Sequence, residues 1–240
     1  MIKTYKGKTL KISVKNRKIG YTYLSQSGYF SFRGQKEIAF ESRLEKDFLT
    51  SFAFSERVVD IEEQPFTLKY KDSQGQERVY TPDFMITFKA ETLEVSSLDK
   101  PLIVEVKPRE ILKRDFHLFK ERFKAMISYC QQNDMIFKIY DESRIYTTYF
   151  DNITRIMRYK RYNYDPIERD TILNYINAAG QVSVGMIPEI FGGTDTDKAE
   201  IIGHVYHLLA KKELSADLTH PLDIHTEVWV NTNYGYEETA

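Results

Sequence analysis

The 240-residue sequence predicts an α/β domain with a mixed sheet and flanking helices, followed by a small C-terminal winged-helix domain. Two observations support this fold class. In the first part of the chain, short apolar segments of β-like composition alternate with segments in which apolar residues recur every three or four positions. Beyond a short linker at 163–166, three helical segments precede two strand-like segments, which is the pattern of a winged helix. The predicted domains are therefore residues 1–162 and 163–240.

The charge distribution also separates two modules. The net charge of the whole chain is −1. Residues 1–162 carry 30 basic and 22 acidic side chains, whereas residues 163–240 carry 4 basic and 13 acidic ones. A basic module suits a polyanion such as DNA, and an acidic module suits it poorly. The two domains are thus expected to have different partners.

Composition narrows the class of protein further. Hydrophobic residues make up 42% of the chain, enough for a sizeable core. The single cysteine, Cys130, excludes an internal disulfide framework and a cysteine-based zinc cluster. No run of about eighteen apolar residues predicts a membrane span, and the N-terminus lacks the apolar core of a signal peptide. A cytoplasmic protein is expected.

In the first domain, the predicted elements are strand-like segments at 9–14 and 21–25, a helix at 35–54, strands at 58–61, 66–70, 77–80, 83–88 and 102–107, a helix at 110–132, a strand at 135–140 and a helix around 149–159. Gly75 in the sequence KDSQGQ predicts a hairpin turn, and 90–100 reads as a polar connection. In the second domain, helices are predicted at 167–179, 183–190 and 195–212, and strands near 214–218 and 226–230.

Three polar side chains interrupt the apolar pattern of two strands. Alternation along 83–88 places Asp83 on the face opposite Phe84, and alternation along 102–107 places Glu105 and Lys107 on the face opposite Val104. If the two strands pair, Asp83, Glu105 and Lys107 converge. Two carboxylates supply the hard oxygen ligands that Mg²⁺ prefers. The lysine would stand beside the metal-bound water, which is the arrangement needed to hydrolyse a phosphodiester. The alternative is an ordinary surface ion pair, which contributes little to stability.

Such a site needs more negative charge than two carboxylates usually supply, and the helix at 35–54 offers Glu41 and Glu45. Ile38, Leu44, Phe48 and Phe52 lie roughly on one stripe of that predicted helix. Glu45 is favoured over Glu41, because it adjoins the stripe and so lies near the side that packs on the sheet.

Proline–aspartate, a polar connection and then Glu-x-Lys on an apolar strand resemble the PD-(D/E)xK nuclease superfamily. The sequences SRLEKDFL at 42–49 and VVDIEEQ at 58–64 narrow the resemblance to the TnsA family, the endonuclease subunits of heteromeric bacterial transposases. The resemblance appears over most of the chain, including a C-terminal winged helix.

By this resemblance, Glu45, Asp83, Glu105 and Lys107 are the catalytic residues. Glu45, Asp83, Glu105 and the carbonyl of Val106 hold Mg²⁺, for which Mn²⁺ substitutes. The family can have Gln where this chain has Glu105, and glutamate is the commoner choice across the superfamily. This departure loosens the assignment to one subfamily and leaves the nuclease interpretation intact.

The resemblance also implies a reaction and partners. Family members cleave the 5′ strands of double-stranded DNA at transposon ends during cut-and-paste transposition. A DDE transposase cuts and joins the 3′ ends, and an AAA+ ATPase regulator couples both to target choice. The implied location is the bacterial cytoplasm, in association with the nucleoid when the complex is assembled.

The candidate DNA contacts are Arg109, Lys113 and Arg114, which follow the strand of Lys107 and could track the phosphate backbone. They could equally be the solvated face of an amphipathic helix. In the second domain, acids at the start of the helix at 195–212 would face phosphate, so a protein-docking role is favoured over DNA binding. Two other functions stay open: a stand-alone restriction or repair nuclease, and a catalytically idle DNA-binding adaptor.

Overall fold

The computed structural model describes residues 26–89 and 100–232, together with the backbone of strands β1 (Ile2–Tyr5) and β2 (Lys8–Lys11). The predicted strand at 21–25 and nearly all of the predicted connection at 90–100 lie outside the described residues. The chain divides into two compact units, Met1–Ile145 and Tyr146–Ala240. Among the described residues, no helix combines the length and apolar character needed to cross a bilayer.

The remaining elements of the first unit are β3 (Gly28–Phe32), β4 (Lys36–Phe40), α1 (Arg43–Phe54), β5 (Val58–Glu63), β6 (Leu68–Lys71), β7 (Glu77–Tyr80), β8 (Phe84–Phe88), β9 (Leu102–Val106), α2 (Arg109–Gln132), β10 (Ile136–Tyr140) and α3 (Glu142–Ile145). Strands β6 and β7 form the predicted hairpin, with Gly75 at a φ of 77° in the turn.

The central sheet has four strands in the order β10-β9-β8-β5. Strands β10 and β9 are parallel, whereas β8 runs antiparallel to both β9 and β5. The sheet is therefore mixed, as predicted. In the β8–β9 pair, Phe84 lies opposite Val104 and Met85 lies opposite Ile103.

Both faces of this sheet are covered. On one face, Phe84, Val104 and Val106 pack in a cluster with Phe48 and Leu49 of α1. On the other face, Met85 and Ile103 pack with α2 residues that include Phe123, Met126 and Cys130. The alternation predicted for β8 and β9 is thus present, and each set of side chains has its own helix.

Cys130 belongs to the core, as its place in the apolar pattern of the helix predicts. Its side chain is buried, and burial raises the pKa of its thiol to about 12. Phe116 and Ile127 also fit the three- and four-residue apolar spacing of this helix, but they are 50% and 45% exposed. The helix changes direction at Asp115, directly before Phe116, so the apolar spacing is not continuous there.

The predicted helix at 35–54 is also wrong in its first part. Residues 36–40 form β4, paired with β3 through a turn in which Arg33 and Gly34 both have positive φ angles. Ile38 and Phe40 are buried, in the alternating pattern of a strand. Helix α1 begins only after Ser42, whose hydroxyl accepts a hydrogen bond from the N–H of Glu45.

The second unit contains α4 (Thr148–Ile156), a 3₁₀ segment (Met157–Arg161), α5 (Pro166–Ala179), β11 (Val182–Ser183), α6 (Met186–Phe191), α7 (Asp195–Ala210), β12 (Leu214–Ala216) and β13 (Glu227–Val230). Its three strands form an antiparallel sheet in the order β11-β13-β12. Strand β11 was not predicted. It includes Ser183, the first residue of the helix predicted at 183–190, and the helix observed there begins at Met186.

The division between the units falls after Ile145, whereas the sequence placed it after residue 162. Side-chain contacts explain the difference. Asn152 of α4 is buried and its amide nitrogen donates to the carbonyls of Leu218 and His220. Arg155 donates to the carbonyl of Leu222. Helix α4 and the 3₁₀ segment after it therefore belong to the second unit, which thus includes the basic residues Arg155, Arg158, Lys160 and Arg161.

Candidate active site

Asp83 lies at the entrance of β8 and is bound to β9 through its main chain and its side chain. Its N–H donates to the carbonyl of Val104 at 3.0 Å, and its carboxylate Oδ2 accepts from the N–H of Val106 at 2.7 Å. It precedes the Phe84–Val104 pair in the register, so it lies across from Glu105. The pairing of β8 and β9 thus brings together Asp83 and Glu105, the two carboxylates that were predicted to converge.

Negative charge accumulates around Asp83. Burial raises the pKa of its carboxyl well above the usual value, and the charges of Glu105 and Glu45 raise this pKa further. The positive charge of Lys107 and the hydrogen bond from Val106 act in the opposite direction. An anionic Asp83 is therefore costly in this environment unless a cation is added, which is the expected property of a metal ligand.

Glu105 is 2% exposed, and both of its carboxylate oxygens have partners. Oε2 accepts from the hydroxyl of Tyr80 at 2.7 Å. Oε1 lies 3.2 Å from the Nζ of Lys107 and 3.3 Å from the Nη2 of Arg122. The pair of Glu105 and Lys107 is thus a buried carboxylate with a half-buried lysine, unlike the exposed surface pair that was the alternative interpretation.

Sequence reasoning missed Tyr80 and Arg122. Tyr80 ends β7 and is nearly buried, and burial followed by the charge of Glu105 raises the pKa of its hydroxyl far above the usual value. Arg122 lies three residues after Phe119 and next to Phe123 on α2. This spacing places a basic residue on the packed side of the helix, which is a signal that could have been used.

Lys107 follows β9 directly, and its N–H donates to the carbonyl of Tyr140 at 2.9 Å, which extends the contact between β9 and β10. Val106 is buried with its main-chain N–H on Asp83. The main-chain N–H of Val106 is therefore beside the acidic pair, and the metal-binding role of its carbonyl stays a prediction.

Glu45 approaches the site but is engaged in the start of α1. Its Oε1 accepts from the hydroxyl of Ser42 at 3.0 Å, and its Oε2 accepts from the N–H of Glu41 at 2.7 Å. Burial raises the pKa of its carboxyl, whereas these hydrogen bonds and the charge of Lys107 lower it. Glu45 therefore interacts electrostatically with both Lys107 and Asp83 while it caps a helix.

The three candidate DNA contacts are exposed at the start of α2. The N–H of Arg109 donates to Glu142, and its side chain lies 4.0 Å from Asp141. Arg114 makes two hydrogen bonds to the neighbouring Asp115. The positive charges of both arginines are partly offset by acids of the chain.

Within the described part of the chain, no group of three or more His, Cys, Asp and Glu side chains is arranged to hold a metal ion. The engagement of Glu45 with Ser42 and Glu41 agrees with this finding. The donor chemistry nevertheless fits Mg²⁺, which is commonly bound by one or two carboxylates with waters and substrate phosphate completing the octahedron. Asp83 and Glu105 supply two such carboxylates.

The mixed sheet is covered by helices and carries buried carboxylates and a lysine where two strands pair, and this arrangement fits a nuclease-like α/β core. Residues 55–142 match the family model described as TnsA-like endonuclease N terminal. This match confirms the resemblance seen in the sequence for residues 55–142, which form a TnsA-like endonuclease N-terminal domain. The matched range includes Asp83, Glu105 and Lys107 and ends short of Glu45 on the N-terminal side. No curated protein gave a significant match to the chain.

Proposed function

We propose that this protein is a metal-dependent DNA endonuclease that cleaves the 5′ strands at transposon ends. The observation that carries the proposal is the convergence of Asp83, Glu105 and Lys107 in a domain that matches the TnsA-like endonuclease model. The reaction is hydrolysis of a phosphodiester. A water oxygen forms a bond to phosphorus, the bond from phosphorus to the leaving oxygen breaks, and that oxygen takes up a proton.

Asp83 and Glu105 would hold Mg²⁺, with Mn²⁺ as a substitute and with the carbonyl of Val106 and the carboxylate of Glu45 as further ligands. The bound ion would lower the pKa of water and offset charge on the phosphoryl group. Lys107, with its ammonium group 3.2 Å from Glu105, orients the attacking water and stabilises its deprotonated form. Glu45 would need to leave its hydrogen bond with the N–H of Glu41 in order to join the site.

The second unit is proposed to be a winged helix that docks onto protein partners. Support comes from its element order, with α5, β11, α6 and α7 followed by β12 and β13 in one antiparallel sheet. Helix α7 begins with Asp195 and Asp197, and the side chain of Asp197 completes a capping box with Thr194. These acids suit a basic protein surface better than phosphate. The proposed partners are a DDE transposase and an AAA+ regulator, in a cytoplasmic, nucleoid-associated complex.

The experiment that tests this function is strand-specific nicking of a transposon-end DNA in Mg²⁺, with and without a co-expressed transposase partner. The forms compared are the wild type, Asp83→Ala, and Lys124→Gln as a control on the exposed surface of α2. We expect nicking of the 5′ strand that requires the partner, is abolished by Asp83→Ala and is reduced at most modestly by Lys124→Gln.

Two other outcomes lead to different functions. Cutting without the partner would identify a stand-alone nuclease of the restriction or repair type. DNA binding without cutting, under both conditions and in both Mg²⁺ and Mn²⁺, would identify a DNA-binding adaptor and overturn the endonuclease proposal.

A further inference from the structure

Arg122 reaches Glu105 from helix α2 through an aromatic environment. The guanidinium carbon lies 4.3 Å from the ring centre of Phe119, 5.2 Å from that of Tyr80 and 5.4 Å from that of Phe123. Its Nη2 is 3.3 Å from Oε1 of Glu105, and its side chain is 26% exposed. The charge is thus held over three rings and directed at one carboxylate oxygen.

This placement is unfavourable for the arginine itself. The buried Nε has no hydrogen-bond acceptor among the described residues. An unsatisfied buried donor is unfavourable, and more so when the group is charged. Contacts with aromatic faces offset part of that cost. An arginine in this position is explained by its effect on Glu105 better than by the stability of α2.

The hydrogen bonds of Glu105 indicate what that effect is. Tyr80 occupies Oε2, whereas Lys107 and Arg122 share Oε1. Two positive charges therefore neutralise the environment of a carboxylate that lies beside the buried Asp83. A cation that binds Glu105 must share or displace the contacts at Oε1 or Oε2, and at either oxygen it meets the positive charge of Arg122.

We propose that Arg122 is a positioning residue that holds Glu105 and balances its charge before metal binding, and that it competes with the metal for this carboxylate. The proposal rests on the proposed function, since it concerns the same metal site. The proposal predicts a change in metal affinity that is opposite to the change expected if Arg122 only supported the structure of the site. Removal of the arginine charge strengthens metal binding, because the negative potential of Asp83 and Glu105 is then less compensated.

The test is Mn²⁺ binding to the full chain without DNA, measured by titration calorimetry and by electron paramagnetic resonance of the free ion. The variants are Arg122→Gln, which keeps an amide near Glu105 without the charge, and Arg122→Lys, which keeps the charge without the planar group. Arg114→Gln is the matched control, because it removes an exposed arginine from the same helix. Asp83→Asn and Glu105→Gln define the site.

We expect Arg122→Gln to lower the apparent Kd for Mn²⁺ by roughly three- to tenfold. Arg122→Lys and Arg114→Gln should stay within about twofold of the wild type. An unchanged or higher Kd for Arg122→Gln overturns the proposal. If Arg122→Gln does not fold, Arg122→Met replaces it, since an apolar chain fits the aromatic surroundings, and the same criterion applies.

The control variants separate failure of this inference from failure of the proposed function. If the wild type binds Mn²⁺ and Asp83→Asn abolishes binding, the metal site is real, and an unchanged Kd in Arg122→Gln overturns the role of Arg122 alone. If neither the wild type nor the Arg122 variants bind Mn²⁺, or if Asp83→Asn and Glu105→Gln bind like the wild type, both proposals fail.

Discussion

The carboxylate of Asp83 accepts a hydrogen bond from the main-chain N–H of Val106, with Oδ2 and N 2.7 Å apart. This bond continues the β8–β9 pairing at the point where the regular register ends. The position of the acid is therefore set by strand pairing as well as by its own rotamer. The neighbouring Glu105 is held from three directions by Tyr80, Lys107 and Arg122.

Asp83→Asn should abolish nicking while it stabilises the metal-free chain. The asparagine keeps an acceptor for Val106 and removes a charge that burial and Glu105 disfavour. The folded chain disfavours this charge while the unfolded chain carries it at pH 7, so removing the charge is expected to raise the free energy of unfolding. Urea denaturation with chelator present measures this change. Asp83→Ala is the matched variant, and it should be less stable than Asp83→Asn because it leaves the Val106 N–H unsatisfied. A less stable asparagine variant would contradict the prediction.

Ser42→Ala should weaken the start of α1 and remove one of the two hydrogen bonds to the carboxylate of Glu45. The serine hydroxyl accepts from the N–H of Glu45 and donates to its carboxylate. Loss of such a cap costs about 1 kcal/mol, measurable by urea denaturation. Ser42→Thr retains the hydroxyl and should be close to the wild type. Equal stability of the alanine and threonine variants would argue against the cap.

Phe48→Ala should be among the most destabilising changes in the first unit. Phe48 is fully buried, and its ring centre lies 5.5 Å from that of Phe84 and 5.0 Å from that of Tyr140. The expected loss is about 3–5 kcal/mol in the free energy of unfolding. Phe116→Ala serves as the control, because Phe116 is 50% exposed and its loss should change stability by about 0.5 kcal/mol or less. Similar losses in the two variants would show that α1 does not pack as described.

Asn152→Ala tests the assignment of α4 to the second unit. The buried amide donates to two carbonyls, and its oxygen accepts from the N–H of Leu222. Removal leaves these backbone groups without a partner, at about 1–3 kcal/mol for each unsatisfied group before relaxation. Hydrogen exchange should show faster opening of residues 218–222. Unchanged protection there would favour the boundary after residue 162.

The stability of the second unit should decrease as pH falls below about 6.5. His204 is buried, and burial lowers the pKa of its imidazole, although the hydrogen bond and charge of Glu168 act in the opposite direction. The unfolded chain then takes up a proton that the folded chain resists, so acid favours unfolding. Urea denaturation at pH 7 and pH 5 should show a smaller difference for His204→Asn than for the wild type. His220→Asn, at an 80% exposed side chain, is the control and should keep the wild-type difference.

The sequence by itself determined the features that depend on local geometry. Alternation along each strand was enough to place Asp83 and Phe84 on opposite faces of the sheet, and likewise Glu105 and Val104. Successive side chains of a strand point to opposite faces regardless of which strand lies next to it. The hairpin at Gly75 has the same local origin. The β3–β4 hairpin is also formed by neighbouring residues. It was not predicted, because Ile38 fits the helical spacing of the apolar residues that follow it, and this hid its strand-like alternation with Phe40.

Only the tertiary structure decided which groups surround Glu105. Tyr80 and Arg122 are 25 and 17 residues away in the chain, and their contacts depend on how β7 and α2 pack against β9. The place of α4 depends likewise on carbonyls that follow Asn152 by 66 residues or more. A periodic pattern records which side of an element is buried. The partner on that side is set by packing between distant segments, which no local spacing encodes.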